Sequence, residues 1–314
     1  MKYKMALFIF MLLSISCQQT PQEVIEPQQS DRNFSIAKMA RMRKPADIAL
    51  LEEGFRAFVL IEGLTNPEGI DFNFANKKLM VVQATLANIL ALNKRGQARQ
   101  FAQIPFTEPP EPILIDVVYD SICGSFTTLY KHGQIFHIDN QGSVTEFASG
   151  LDRPAFMARD RDLNLYVAEW GASRVLKFDC MGNRMTLIQG QGEPRWKPQA
   201  LVFDEPFLYV LETWGRIRRF NIMRDIDFPI PAENGKEIAA IWTGGRKMDL
   251  AIGFDGDLFI VAQNDIYRVK LDGTFTTFAS GLQGPYNAIQ STFHGDLLVS
   301  DWGTGKVIRI VRAR

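Results

Sequence analysis

One pattern recurs along this chain and constrains its fold more than any other feature: an apolar strand closing on an acidic or amide residue, a tight turn, then a second strand. It reads LNLYVAEWGASRVLKFDCMG at 163–182, FLYVLETWGRIRRFN at 207–221, DLFIVAQNDIYRVKLDG at 257–273 and DLLVSDWGTGKVIRI at 296–310, with a diverged copy, KLMVVQATLANILALNKRG, at 78–96. A second motif runs beside it. GFRAFVLIEG at 54–63, GSVTEFASG at 142–150 and GTFTTFASG at 273–281 are followed by Leu64, Leu151 and Leu282, and three residues later by Pro67, Pro154 and Pro285. Leu64 and Leu151 are 87 residues apart and Leu151 and Leu282 are 131 apart, which divide into two and three units of 43 to 44 residues. A period in that range with four short strands per unit is the signature of a β-propeller.

Inner strands beginning near Pro67, Pro112, Pro154, Pro198, Asp249 and Pro285 give six blades. Blade two is the most diverged, with strands ILIDVVYD, SFTTLYK, QIFHID and SVTEF. The glycines Gly182, Gly256 and Gly273 fall in turns where a positive φ is often required. KVIRIVRAR at 306–314 is a third strand with no fourth after it, while residues 54–63 are a fourth strand with no first three before it. Joining the two completes blade six and removes an open sheet edge. The expected fold is therefore all-β, one six-bladed propeller over 54–314 closed by its N-terminal outer strand.

The segment 1–17, MKYKMALFIFMLLSISC, has two lysines, an apolar run too short to span a bilayer as a mature helix, and small residues before Cys17. Its end resembles a bacterial lipobox, which implies lipidation of Cys17, a tether to an envelope membrane and an extracytoplasmic location; an ordinary signal peptide is the alternative. Residues 18–53 read as a flexible tether, poor in apolar residues up to about Asn33, followed by a short helical lead-in at 35–51 interrupted at Pro45. Cys123 and Cys180 give no disulfide framework and are expected to be free. Lys plus Arg equals Asp plus Glu at 35 each, so no net field recruits nucleic acid. The chain is expected to be monomeric.

VAEWGASRVLKFDCMG and VSDWGTGKVIRI resemble the NHL repeat. The six-blade total is similar to that of the group holding NHL proteins, SMP-30/gluconolactonase hydrolases and strictosidine-synthase-like proteins. Members of the SMP-30/gluconolactonase branch hold a divalent metal, usually Ca²⁺, with a Glu on the first blade and Asn and Asp on later ones, and open lactones or related esters. Asn66-Pro67-Glu68-Gly69 preserves the Glu-Gly pair at the first inner strand, so the resemblance implies Glu68 as a ligand. Asp249 in KMDLA and Asn287 in PYNAI are the later candidates, in an order along the chain reversed from the family's. The family's Pro and Trp after the Glu-Gly pair are replaced by Ile70-Asp71-Phe72.

In a propeller the loops entering each inner strand and the turns between the second and third strands emerge on one face. Glu169, Glu212 and Asp301, the acids of the repeated turn, therefore share a face with Glu68, Asp249 and Asn287, and Gln83 and Gln263 take the acidic position in blades one and five. Converging oxygens suit Ca²⁺; equally, such an acid can cap its own turn by accepting backbone N–H bonds. Trp170, Trp214, Trp302 and Tyr286 gather there with Arg153, Arg195, Arg246 and Lys247. That combination fits a glycan, a peptide or a partner protein, while each Trp can instead cover an inter-blade groove. His132, His137 and His294 have no zinc-ligand spacing, and no glycine-rich phosphate loop follows a strand. Two readings follow: a tethered propeller that binds a ligand or partner without catalysis, and a calcium-dependent lactone or ester hydrolase.

Overall fold

The computed structural model of the chain describes residues 44–73, 78–92, 97–107, 109–120, 124–179, 181–190, 196–223, 228–241, 248–292 and 295–313. The expected leader, Cys17, Cys123, Cys180 and His294 lie outside them. Six sheets, antiparallel apart from the short parallel pairing of Ile230–Pro231 with Arg184–Gln189, radiate from a central channel. Their inner strands are Pro67–Asn73, Leu114–Asp120, Pro154–Arg159, Pro198–Asp204, Met248–Ile252 and Ile289–Ser291, each within four residues of the start that the repeat spacing gives. Every strand is short and bounded by turns, and Gly182, Gly256 and Gly273 take φ of 83°, 75° and 94° there.

The ring closes as the two chain ends suggest. Phe55–Ile61 lies antiparallel to Lys306–Arg312 as the fourth strand of blade six, with Ile61 opposite Val307 and Phe55 opposite Arg312. Val59, Ile308 and Ile310 are buried along this seam, each contributing about 1.5–3 kcal/mol of hydrophobic stabilisation. The lead-in departs from expectation. Its described part is extended instead of helical: Lys44–Pro45 pairs with Phe55–Ile61, and Ala49–Leu50 pairs with Phe275–Ser280 of blade five. Local helix propensity yields here to unpaired sheet edges, which offer hydrogen bonds to any extended segment. Ala46, Ile48, Leu50 and Phe55 then cover an aromatic cluster of Phe254, Phe259 and Phe278.

Apolar faces of neighbouring blades interlock. Leu211 and Ile217 of blade four pack on Leu258 and Ile260 of blade five, and Leu114 and Val117 of blade two on Met80 and Ile89 of blade one. Among the described residues no helix is long and apolar enough to cross a membrane.

Candidate functional site at the channel

An inner strand is an edge strand on its channel side, so its outward N–H groups need acceptors. Three aspartates supply them. Asp71 Oδ1 accepts the N–H of Phe72 (2.7 Å) and its Oδ2 that of Tyr119 on blade two (2.6 Å). Asp116 accepts Val117 N–H and Met157 N–H on blade three (both 2.8 Å), and Asp249 accepts Leu250 N–H (2.8 Å) and Ile289 N–H on blade six (2.9 Å). Each carboxylate thus bonds its own strand and the next blade's. Gln290 of blade six completes the run by donating from Nε2 to Asp71 Oδ1 at 3.2 Å. Gly69 permits the close approach of blades one and two: a Cβ there would stand 2.4 Å from the Asp116 Cα.

Burial of these acids favours their neutral forms. Asp71 is pushed up to about 6 by burial, against backbone hydrogen bonds that lower it. Burial raises Asp249 to about 7, with the nearby Glu68 charge adding a smaller push, and it holds Asp116 well above the ordinary carboxylate range, helped by Asp249.

The acids of the repeated turn behave differently. Glu169 accepts the N–H of Asp152 (2.7 Å), Gln83 that of Thr65 (2.8 Å) and Asp301 that of Gln283 (2.9 Å). In all three cases the donor is the residue just after Leu151, Leu64 or Leu282, which accounts for both sequence motifs at once: the second strand's last residue clasps the loop entering the inner strand. Glu169 is further bonded by Arg174, and Glu212 pairs with Arg218 at 3.1 Å and Arg216 at 3.9 Å. These side chains act within their own blades.

Asn287 is also committed locally, donating to the carbonyls of Gln263 (2.8 Å) and Gly284 (3.3 Å) and accepting Trp302 N–H (2.9 Å). Its oxygen serves the rim loop.

Glu68 is buried on blade one, in a bulge between the Pro67–Gln83 and Ile70–Val81 pairs. Blade four has a shorter irregularity, between the Pro198–Glu212 and Ala200–Leu211 pairs, and the residue in it is Gln199. Each follows the proline that opens its inner strand, on blades one and four. Gln199 is only 4% exposed, and its Oε1 has no hydrogen-bond partner. An orphaned buried carbonyl oxygen is costly. Sequence reading missed Gln199, although Lys197-Pro198-Gln199-Ala200 parallels Asn66-Pro67-Glu68-Gly69. Beside it, Ile115, Tyr130, Phe156, Trp170 and Thr213 enclose a recess of about 90 Å³.

Around the mouth, Trp170 donates from Nε1 to Thr213 Oγ1 (2.7 Å), with Arg153 and Lys197 cations 5.1 and 5.3 Å from its ring centre. Trp302 and Tyr286 meet edge to face at 5.6 Å. Trp214 stands 43% exposed, the most accessible of the three tryptophans expected on this face. Arg195, Arg246 and Lys247 lie outside the described residues.

Buried oxygen-bearing side chains near the channel come from three blades: Glu68, Gln199 beside the small recess, and Asp249, which feels the Glu68 charge and also lines a larger cavity. All are hard ligands of the kind Ca²⁺ selects, and the unpartnered Gln199 oxygen is the feature that fits a cation. Among the described residues no three His, Cys, Asp or Glu side chains group closely enough to hold a metal unaided, so the amide is essential to such a set.

No family model matches the chain, and no curated protein matches it in sequence. Solved structures share its six-bladed fold. It is similar to a gluconolactonase from Xanthomonas campestris (14% identity, TM-score 0.67, covering 86% of this chain and 97% of that one). It is similar also to regucalcin, a calcium-binding protein of Agrobacterium tumefaciens (15%, 0.62, 81% and 92%), and to virginiamycin B lyase of Staphylococcus aureus (19%, 0.58, 81% and 84%). At these identities the likeness is one of fold. Nothing in these comparisons supports a ligand-binding scaffold without catalysis.

Proposed function

We propose that the chain is a metal-dependent hydrolase of lactones or related esters, with its site at the channel mouth. The observation that carries this reading is the buried Gln199 oxygen of blade four left without a donor, with Glu68 and Asp249 buried on blades one and five. Their order along the chain, acid, amide, acid, is the order that the SMP-30/gluconolactonase resemblance implies, with Gln in place of Asn. The gluconolactonase and regucalcin likenesses support it.

Glu68, Gln199 and Asp249 would hold Ca²⁺ or a similar hard cation, which when bound polarises the ester carbonyl and activates a water. The chain's own residues do the rest. The adjoining recess takes the apolar part of the substrate against Phe156, Ile115 and Trp170, and Arg153 and Lys197 fix the Trp170 ring. Backbone bonds to Asp249 hold its carboxyl to the channel wall.

The test is proton release from D-glucono-1,5-lactone with millimolar CaCl₂. Hydrolysis above the uncatalysed rate, abolished by EGTA and lowered at least tenfold in Glu68→Gln and Gln199→Ala, supports the reading. No acceleration with any of several lactones and aryl esters would overturn it. We further propose that this activity is exercised at the cell envelope through a lipid on Cys17; labelled palmitate incorporated by the wild type but not by Cys17→Ser is the expected result, and equal labelling would contradict it.

A further inference from the structure

The channel has a second cavity, of about 430 Å³, below the mouth and opening on the opposite face, where Tyr119, Asp204 and Ser291 end their inner strands. That volume lies in the range of small-molecule sites, roughly 300–1,000 Å³. Asp249 borders it from above, but the hydrolase reading uses none of its other polar groups.

Its polar groups are unusual in their balance. Arg159 donates from Nη2 to Leu163 O at 3.0 Å, but its Nε and Nη1 are buried with no partner. A guanidinium carries five N–H donors and never deprotonates in proteins, so these orphaned groups demand an acceptor. Asp71 faces the same cavity. Two lone pairs of its Oδ1 are taken by Phe72 N–H and Gln290 Nε2–H, and one of Oδ2 by Tyr119 N–H, which leaves one open.

The ligand must therefore accept from Arg159 and donate to Asp71 across one cavity. A simple anion fails, because Asp71, Asp160, Asp204 and Asp249 outnumber the one arginine lining the site. A metal ion fails because among the described residues no three ligating carboxylates cluster and the guanidinium repels it. Hydroxyl groups do both jobs, since each donates once and accepts twice. We propose that this lower cavity is a second binding site, for a small neutral polyol whose vicinal hydroxyls accept from Arg159 Nε–H and Nη1–H and donate to Asp71. Leu201 and Phe203 supply an apolar wall for its carbon chain.

The test is isothermal titration calorimetry of the full chain with D-mannitol as probe and 1,5-pentanediol, which lacks vicinal hydroxyls, as control. Saturable heat with mannitol and none with the diol is expected. Binding should weaken at least tenfold in Arg159→Met and at least threefold in Arg159→Lys, which keeps the charge and the packing should the first variant fold poorly. It should persist in Glu68→Gln, so a failed hydrolase reading leaves this result intact. Absence of saturable heat would mean that the cavity holds solvent only. Equal affinity in both Arg159 variants, or loss in Glu68→Gln alone, which would locate the polyol at the mouth, would equally overturn the proposal.

Discussion

The rim and the channel of this propeller use the same carboxylates for different work. At the rim, Glu169 and Asp301 close the turn of their own blade and answer to a loop N–H or a neighbouring arginine. In the channel, Asp71, Asp116 and Asp249 reach across to the next blade and sit in surroundings dry enough to push their acidity down. Rim acids recur with the repeat because every blade needs its turn closed. Acids that bond the next blade's inner strand occur, among the described residues, on blades one, two and five, and at the matching positions blades three and four present Ala158 and Leu201 to the cavity instead. That asymmetry separates a device of the fold from a device a ligand could use.

The contrast can be broken most sharply at Asp116. Asp116→Ala strands two buried backbone N–H groups, at about 1–3 kcal/mol each. A loss of about 2–6 kcal/mol is expected in urea unfolding, against about 0.5–1 kcal/mol for Glu169→Gln, whose arginine partner is partly solvated; equal losses would erase the distinction. A second effect follows from acidity. Asp71 titrates near 6 when folded and near 3.9 when unfolded, so between those values the native state keeps a proton that the unfolded chain gives up. Its stabilising contribution is whole below pH about 4 and is lost as pH rises through about 6, on the order of 3 kcal/mol. Asp139, Asp179 and Asp272 at exposed turns have lowered values; their contributions are lost only as pH falls below about 4, outside this window. Urea midpoints that rise from pH 4.5 to 7 would contradict this. Smaller still, Gly69→Ala pushes a methyl against the Asp116 backbone and should cost about 1–3 kcal/mol, whereas Gly54→Ala, with nothing within 4 Å, should lose only what its φ of 82° imposes, about 1 kcal/mol.

Much of this fold was legible because a propeller writes itself as spacing. Leu-x-x-Pro after three of the outer strands marked the entry to an inner strand, and two unfinished blades at the chain ends marked the closure. Glu68 drew attention through its Glu-Gly pair, and the structure buries it. Gln199 did not, since an amide in an apolar strand carries no signal of its own until Pro198-Gln199 is set beside Pro67-Glu68. Asp71 and Asp116 were not singled out, though Ile70-Asp71-Phe72, Ile115-Asp116-Val117 and Met248-Asp249-Leu250 share an acid flanked by apolar neighbours. The lead-in misled because a strand recruited by another sheet's edge owes little to its own composition.

The central claim is that cation chemistry belongs to the channel mouth and not to the acidic rim. Thermal melting with and without 5 mM CaCl₂ tests it directly on the wild type, Glu68→Gln and Glu169→Gln. The account predicts a calcium-dependent rise of several degrees in the wild type and in Glu169→Gln, and none in Glu68→Gln. A rise that survives Glu68→Gln but disappears in Glu169→Gln would contradict it.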